Sequence, residues 1–260
     1  MATRFLVGVA VGCLALAPTA GAMPGAGIDW EKRVVVAHGQ GAPDLNAPNP
    51  AAARIGAERA AELDAFRNLL EALGGVKVEG GRTAANLMAK DDALKASVEG
   101  VLREFTVVER HYFSDGGVEL VVSMPLDGRV AALLVPAAGG ARAEAPRGKE
   151  DVGSGLVVVA RGLAVTPALA PRLLDPSGRE LYGPGFVQVQ SLRSNGIAGY
   201  LHDLAAAEKS ARVGGKPLTV HAIEAHGSDL VLSAADAKRL ADPAANLGFL
   251  AEGKVIIVVD

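Results

Sequence analysis

The feature that most constrains this chain is its longest segment with one unbroken period, Asn49 to Gly75, NPAAARIGAERAAELDAFRNLLEALGG. Asn49 suits an N-cap and Pro50 the first helical turn, and Gly74–Gly75 suits a left-handed end. Ala52, Gly56, Ala60, Leu63, Phe66, Leu70 and Leu73 recur every three or four residues, so the spacing predicts one packed face, small at its start and bulky at its end. Arg54, Glu58, Glu62 and Arg67 fall on the other side, where Arg54 and Glu58 stand four apart and contribute a few tenths of a kcal/mol at most. A helix graded this way lies close on a sheet at one end and fills a core at the other. It is packing information and carries no chemistry.

Composition narrows the class. Half of the 260 residues are hydrophobic but only 4% are aromatic, so cores here are aliphatic. The length suits one large or two small domains. A net charge of −3 with mixed signs argues against nucleic acid and against an anionic membrane surface as partners. Met1 to Ala22 has a single Arg4, an apolar run from Phe5 to Ala17, a break at Pro18 and the small residues Ala20-Gly21-Ala22. This reads as a secretory signal peptide, with an uncleaved anchor as the alternative. The one cysteine, Cys13, sits in Ala10-Val11-Gly12-Cys13, a poor match to a lipobox because alanine stands first and the apolar run continues past it. Cleavage after Ala22 leaves a mature chain without disulfides.

Taken in order, Arg33–His38 reads as a buried strand, Gly39–Pro48 as a turn-rich loop, and Val76–Gly80 as a second strand. Thr83–Phe105 has helical spacing with a fresh start at Asp91-Asp92, and Thr106–Phe113 with Val118–Met124 flanks a Ser-Asp-Gly-Gly hairpin turn. Residues 136–153, rich in Pro, Gly and charge, form the best boundary. Beyond it, Gly155–Gly162 reads as a buried strand and Pro171–Gly183 as a hairpin around Asp-Pro-Ser-Gly. Phe186–Gln190 reads as a strand and Ile197–Arg212 as a helix. Leu218–Ala225 and Asp229–Leu232 are strands, Ser233 with Asp236 caps a helix to Leu240, and Lys254–Asp260 has the β-branched run of a central strand. The expectation is an α+β protein: two small α/β sandwich-like domains, each a mostly antiparallel sheet packed by helices. The expected units are a signal peptide 1–22, a first domain 28–135, a linker 136–153 and a second domain 154–260.

The candidate sites are thin. His221, Glu224 and His226 mimic a metal cluster, but strand alternation puts His221 opposite the other two, and two ligands do not make a zinc site. His38 beside Gly39-Gln40-Gly41 reads as a strand end, and His111 and His202 have no evident partner. Arg212–Pro217 contains a Gly-Lys pair without the rest of a phosphate-binding loop, and Gly153-Ser154-Gly155 lacks the upstream glycine of a nucleophile elbow. No residue is assigned to catalysis, cofactor binding or metal ligation, and a hydrolase built from distant groups remains the enzymatic alternative.

Residues 30–128 carry a resemblance. The helix has Ala53-Arg54, Ala57, Ala61 and Ala65, and the later hairpin has Tyr112 and Asp115-Gly116. This arrangement resembles the Lpp-twenty-like envelope lipoproteins and the N-terminal domain of flagellar assembly protein T. The resemblance implies a small α/β envelope domain without catalytic residues, used in assembly, with a periplasmic ring at the flagellar motor as one setting. The second half is similar to the C-terminal portion of uncharacterised envelope proteins and departs from the other flagellar domains. The expected function is therefore non-enzymatic, with envelope proteins, basal-body components or further copies of the chain as partners. A periplasmic binding module for a small ligand or wall polymer, using the Gly39–Pro48 loop, is the alternative.

Overall fold

A computed structural model describes residues 26–138 and 143–260. The expected signal peptide with Cys13, and part of the expected linker, lie outside the described residues. The first half contains β1 (Ala26–Asp29), β2 (Val34–Gly41), α1 (Pro50–Gly75), β3 (Lys77–Glu79), β4 (Arg82–Thr83), α2 (Ala84–Met88), α3 (Asp92–Leu102), β5 (Thr106–Tyr112), β6 (Val118–Pro125) and α4 (Arg129–Ala138). The second contains β7 (Glu150–Asp151), β8 (Leu156–Val159), β9 (Leu173–Leu174), β10 (Glu180–Tyr182), α5 (Val189–Asn195), β11 (Gly199–Leu201), α6 (Leu204–Lys209), β12 (Leu218–His226), β13 (Asp229–Leu232), α7 (Ala234–Leu240), β14 (Ala245–Asn246), α8 (Gly248–Ala251) and β15 (Val255–Val258). The α+β architecture is as expected.

The first sheet runs β1-β2-β6-β5, all antiparallel, with α1 on one face. Asn49 caps α1 by accepting from the Ala52 amide at 2.9 Å. The buried stripe of α1 is Ala57, Ala61, Ala65, Leu69 and Leu73, which shares only Leu73 with the expected face, and Leu63 is 61% exposed. The reason lies in the strand beneath. Gly39 and Gly41 face the helix, and a Cβ on Gly39 would come within 2.6 Å of the Ala65 methyl. Strand glycines under helix alanines bring the two backbones closer than the bulkier expected face allows, and the larger residues then fall to the flanks. Gly39–Gly41 thereby belongs to β2 and not to the loop. At the far end, Leu69 and Leu73 are fully buried, each burial stabilising by about 1.5–3 kcal/mol. Gly74 and Gly75 are not left-handed; the helix ends with the Val76 amide donating to Leu73 O at 3.0 Å.

The second sheet, β10-β9-β13-β12-β8-β15-β11, corrects the expectation of a mostly antiparallel second domain. The β9–β13, β12–β8, β8–β15 and β15–β11 pairings are parallel. Parallel neighbours need crossovers, and α5, α6, α7 and α8 supply them. β15 is buried along its whole length between β8 and β11, as its unbroken aliphatic run requires.

Two further segments differ from the sequence expectation. Phe186–Gln190 is a 3-10 turn leading into α5, and Ile197–Arg212 divides into strand β11 and the short α6. Pairing of Gly199–Leu201 with Ile256–Val258 overrides the local helical period, and Asp203 restarts the helix by accepting from the Ala206 amide at 2.7 Å. Helix α4 was not expected from the sequence. It is held by both halves, with Val130 and Leu134 in the first core and Ala131 and Val135 in the second. Trp30, between β1 and β2, packs against both cores and meets Tyr200 edge-on at 5.6 Å.

Candidate functional site

The carboxyl ends of parallel strands are where an open α/β sheet usually holds a ligand. Here Arg161, Asp260 and His202 lie one or two residues past the ends of β8, β15 and β11. Arg161 Nη2 donates to His202 O at 2.5 Å, His202 Nδ1 lies 2.7 Å from Asp260 O, and Asp260 Oδ2 accepts the Gly162 amide at 2.8 Å. Side chains at this rim therefore bind the neighbouring chain ends, and no nucleophile is paired with a base there.

The histidines are dispersed. His226 Nε2 lies 3.4 Å from Glu224 Oε2, while His221 Nδ1 sits 3.7 Å from Asp236 of α7. That separation follows the strand alternation expected from sequence. His38 lies within β2 and stands 3.8 Å from Glu119. His111, expected to have no partner nearby, has Glu109 at 3.1 Å, because residues two apart in a strand share a face. Among the described residues no three His, Cys, Asp or Glu side chains converge to hold a metal ion. Ser154, in the glycine pair weighed as an elbow, donates to Val213 O at 2.7 Å and accepts the Lys216 amide at 3.0 Å. It closes a turn.

Three features are assembled by tertiary folding, and of these only an edge on the Thr106–Met124 hairpin was expected from the sequence. One is the seam between the halves. Leu169 and Ala170 amides donate to Lys77 O and Val78 O at 2.9 and 2.8 Å. Arg172 Nη2 binds Asp229 at 2.5 Å and its Nη1 lies 3.7 Å from Glu79, which also takes Arg82 at 2.9 Å. Burial pushes the Glu180 carboxyl above its usual range, Arg172 pulls it back, and Glu79 and Asp229 add to the rise. A second ion pair joins Arg33 to Asp127, and the Arg33 guanidinium also donates to Asn195 O across the seam. Arg33 has φ 55°, the left-handed backbone that a non-glycine residue adopts at a cost.

The second feature is Arg212. Its Nε and Nη2 are buried without a hydrogen-bond partner, and burial first, then Arg33, lowers its pKa to about 10. These two atoms touch no solvent, so neither offers a contact to a ligand.

The third is β5, the outer strand of the first sheet. Six of its seven residues are exposed, and Val108, Tyr112 and the following Phe113 are 57%, 48% and 50% exposed. Tyr112 is held against α1, its hydroxyl donating to Glu58 at 2.7 Å with the Arg54 guanidinium 5.4 Å from the ring centre. An irregularity between Val107 and Glu109 interrupts the ladder, leaving Glu109 to Tyr112 as a regular open edge.

Residues 155–260 match the family model described as the second domain of Treponema pallidum Tp0624. The match covers β8 through β15. No curated protein matches the chain. Among the described residues no helix is long and apolar enough to cross a membrane.

Proposed function

We propose that this chain is a non-enzymatic protein of the cell envelope, exported to the periplasm, that works by protein–protein contact through the open edge of β5. The observation that carries the reading is that edge. It combines unpaired backbone groups with exposed Val108, Tyr112 and Phe113, the combination used in strand addition. The Lpp-twenty-like and flagellar-assembly resemblance of residues 30–128 supports an assembly role, with the periplasmic ring of the flagellar motor as its most concrete setting. Envelope proteins, basal-body components or further copies of this chain are the partners it suggests.

The test uses the phase of the ladder. The Phe113 amide donates inward to Gly117 O at 2.9 Å, so alternation turns the amides of Tyr112 and Arg110 outward. Arg110→Pro removes an outward donor and spares the internal ladder. The expected result is loss of oligomers and of cross-linked envelope partners, with the far-UV spectrum and melting temperature retained. Unchanged oligomers and partners in a folded Arg110→Pro protein would overturn the assignment of β5.

A further inference from the structure

The C-terminal end of α1 presents a second surface of different chemistry. Gly74 and Gly75 lie in the last helical turn with ordinary helical backbone. A Cβ on Gly75 would meet nothing within 4 Å, and one on Gly74 would meet only the Ala85 methyl, at 3.5 Å. Neither conformation nor close packing calls for glycine here, yet each glycine in a helix costs about 0.5–1 kcal/mol relative to alanine. What the two glycines leave is space. An open groove of about 740 Å³ runs between α1 and α2, lined by Leu70, Gly74, Gly75, Ala85, Met88 and Ala89. The lining also includes Arg67, Lys95 and Glu71. The Arg67 and Lys95 side chains have no ion-pair or hydrogen-bond partner among the described residues.

We infer that this groove binds a single-chain anionic amphiphile of the fatty-acid type. Apart from Thr83 and the charged Arg67, Glu71 and Lys95, the lining offers methyl and methylene contacts, so the part of the ligand set against it is an alkyl chain. The two unpaired cations outweigh the single Glu71, so the head group is an anion placed toward Arg67 and Lys95. Glu71 opposes it and limits the affinity. The site lies apart from β5, so an occupied groove and an engaged edge are compatible.

The experiment is displacement of a dansyl-labelled fatty acid from the protein by dodecanoate, dodecyl maltoside and butanoate, each below its micellar concentration. Dodecanoate is expected to compete saturably and the other two weakly. Gly75→Leu fills the groove, and leucine is a better helix former than glycine, so the variant should melt no lower than the parent while losing at least tenfold in affinity. Arg67→Gln and Lys95→Gln should each weaken binding about two- to fivefold, and Glu71→Gln should strengthen it by a similar factor, the range of exposed ion pairs. No saturable displacement, undiminished binding in folded Gly75→Leu, or equal competition by dodecyl maltoside or butanoate would each overturn the inference.

Discussion

One methyl group on Gly41 tests whether the close approach of α1 to β2 governs the first core. Built on the observed backbone, that methyl lies 2.8 Å from the Ala57 carbonyl carbon and from the Ala61 amide nitrogen, and nearer still to Ala57 O. Carbon atoms sit comfortably at about 3.5–4.0 Å, and the obstructing atoms are helix backbone, which cannot rotate away as a side chain does. The helix must therefore lift by more than about 1 Å. A gap of 0.5–1 Å forfeits about a quarter to a half of each dispersion contact it opens, and those contacts include Ala57, Ala61 and Ala65, all fully buried. Overpacking usually costs about 1–3 kcal/mol, so Gly41→Ala should cost about 3 kcal/mol, a large share of the 5–15 kcal/mol that holds a typical domain. Trimming Ala61→Gly should not rescue it, because the obstruction is main chain. Gly56→Ala is the control, since a Cβ there meets nothing within 4 Å, and it should stabilise by about 0.5–1 kcal/mol. Urea unfolding followed by far-UV circular dichroism, compared through midpoints at constant slope, measures both. Gly41→Ala within about 0.5 kcal/mol of the parent, with Gly56→Ala shifted as expected, would refute the close-approach argument.

Three further outcomes follow from the polar groups. Arg172→Ala leaves Glu79, Asp229 and Glu180 facing one another, and with Arg172 partly exposed the loss should be about 2 kcal/mol at pH 7; denaturant melts of the variant and the parent decide. Arg212→Met should be neutral or stabilising by about 1 kcal/mol, since two buried guanidinium nitrogens without partners cost more than an apolar side chain of similar length, and a clear loss of stability in the same melts would overturn that reading. The Ser177 hydroxyl, with the Ser177 and Arg179 amides, holds the Asp175 pKa at about 2 against an ordinary 3.8. Its contribution is thus complete above the ordinary carboxylate pKa and is lost as pH falls from about 4 toward 2, so Asp175→Asn should flatten the acid limb of a melting-temperature profile over that window.

Much of this architecture was legible in the chain itself. Asn49, Asp91 and Ser233 announce helix starts because a short polar side chain satisfies amides only a few residues away. The Ser114–Gly117 turn and the β-branched run at β15 are equally local, set by turn chemistry and by burial on both faces. The facing of α1 was not local. Two apolar stripes are available on that helix, and Gly39 and Gly41, separated from it in sequence, select the alanine stripe by allowing the nearer approach. Strand β11 was likewise decided at a distance, since only the presence of β15 beside Gly199–Leu201 makes extended backbone preferable to helix there. The Glu79–Arg172–Asp229 seam, the buried Arg212 and the groove at Gly74–Gly75 all join residues from different elements. A periodic sequence specifies which side chains share a face, but which face meets which partner is settled by the packing of backbones against one another.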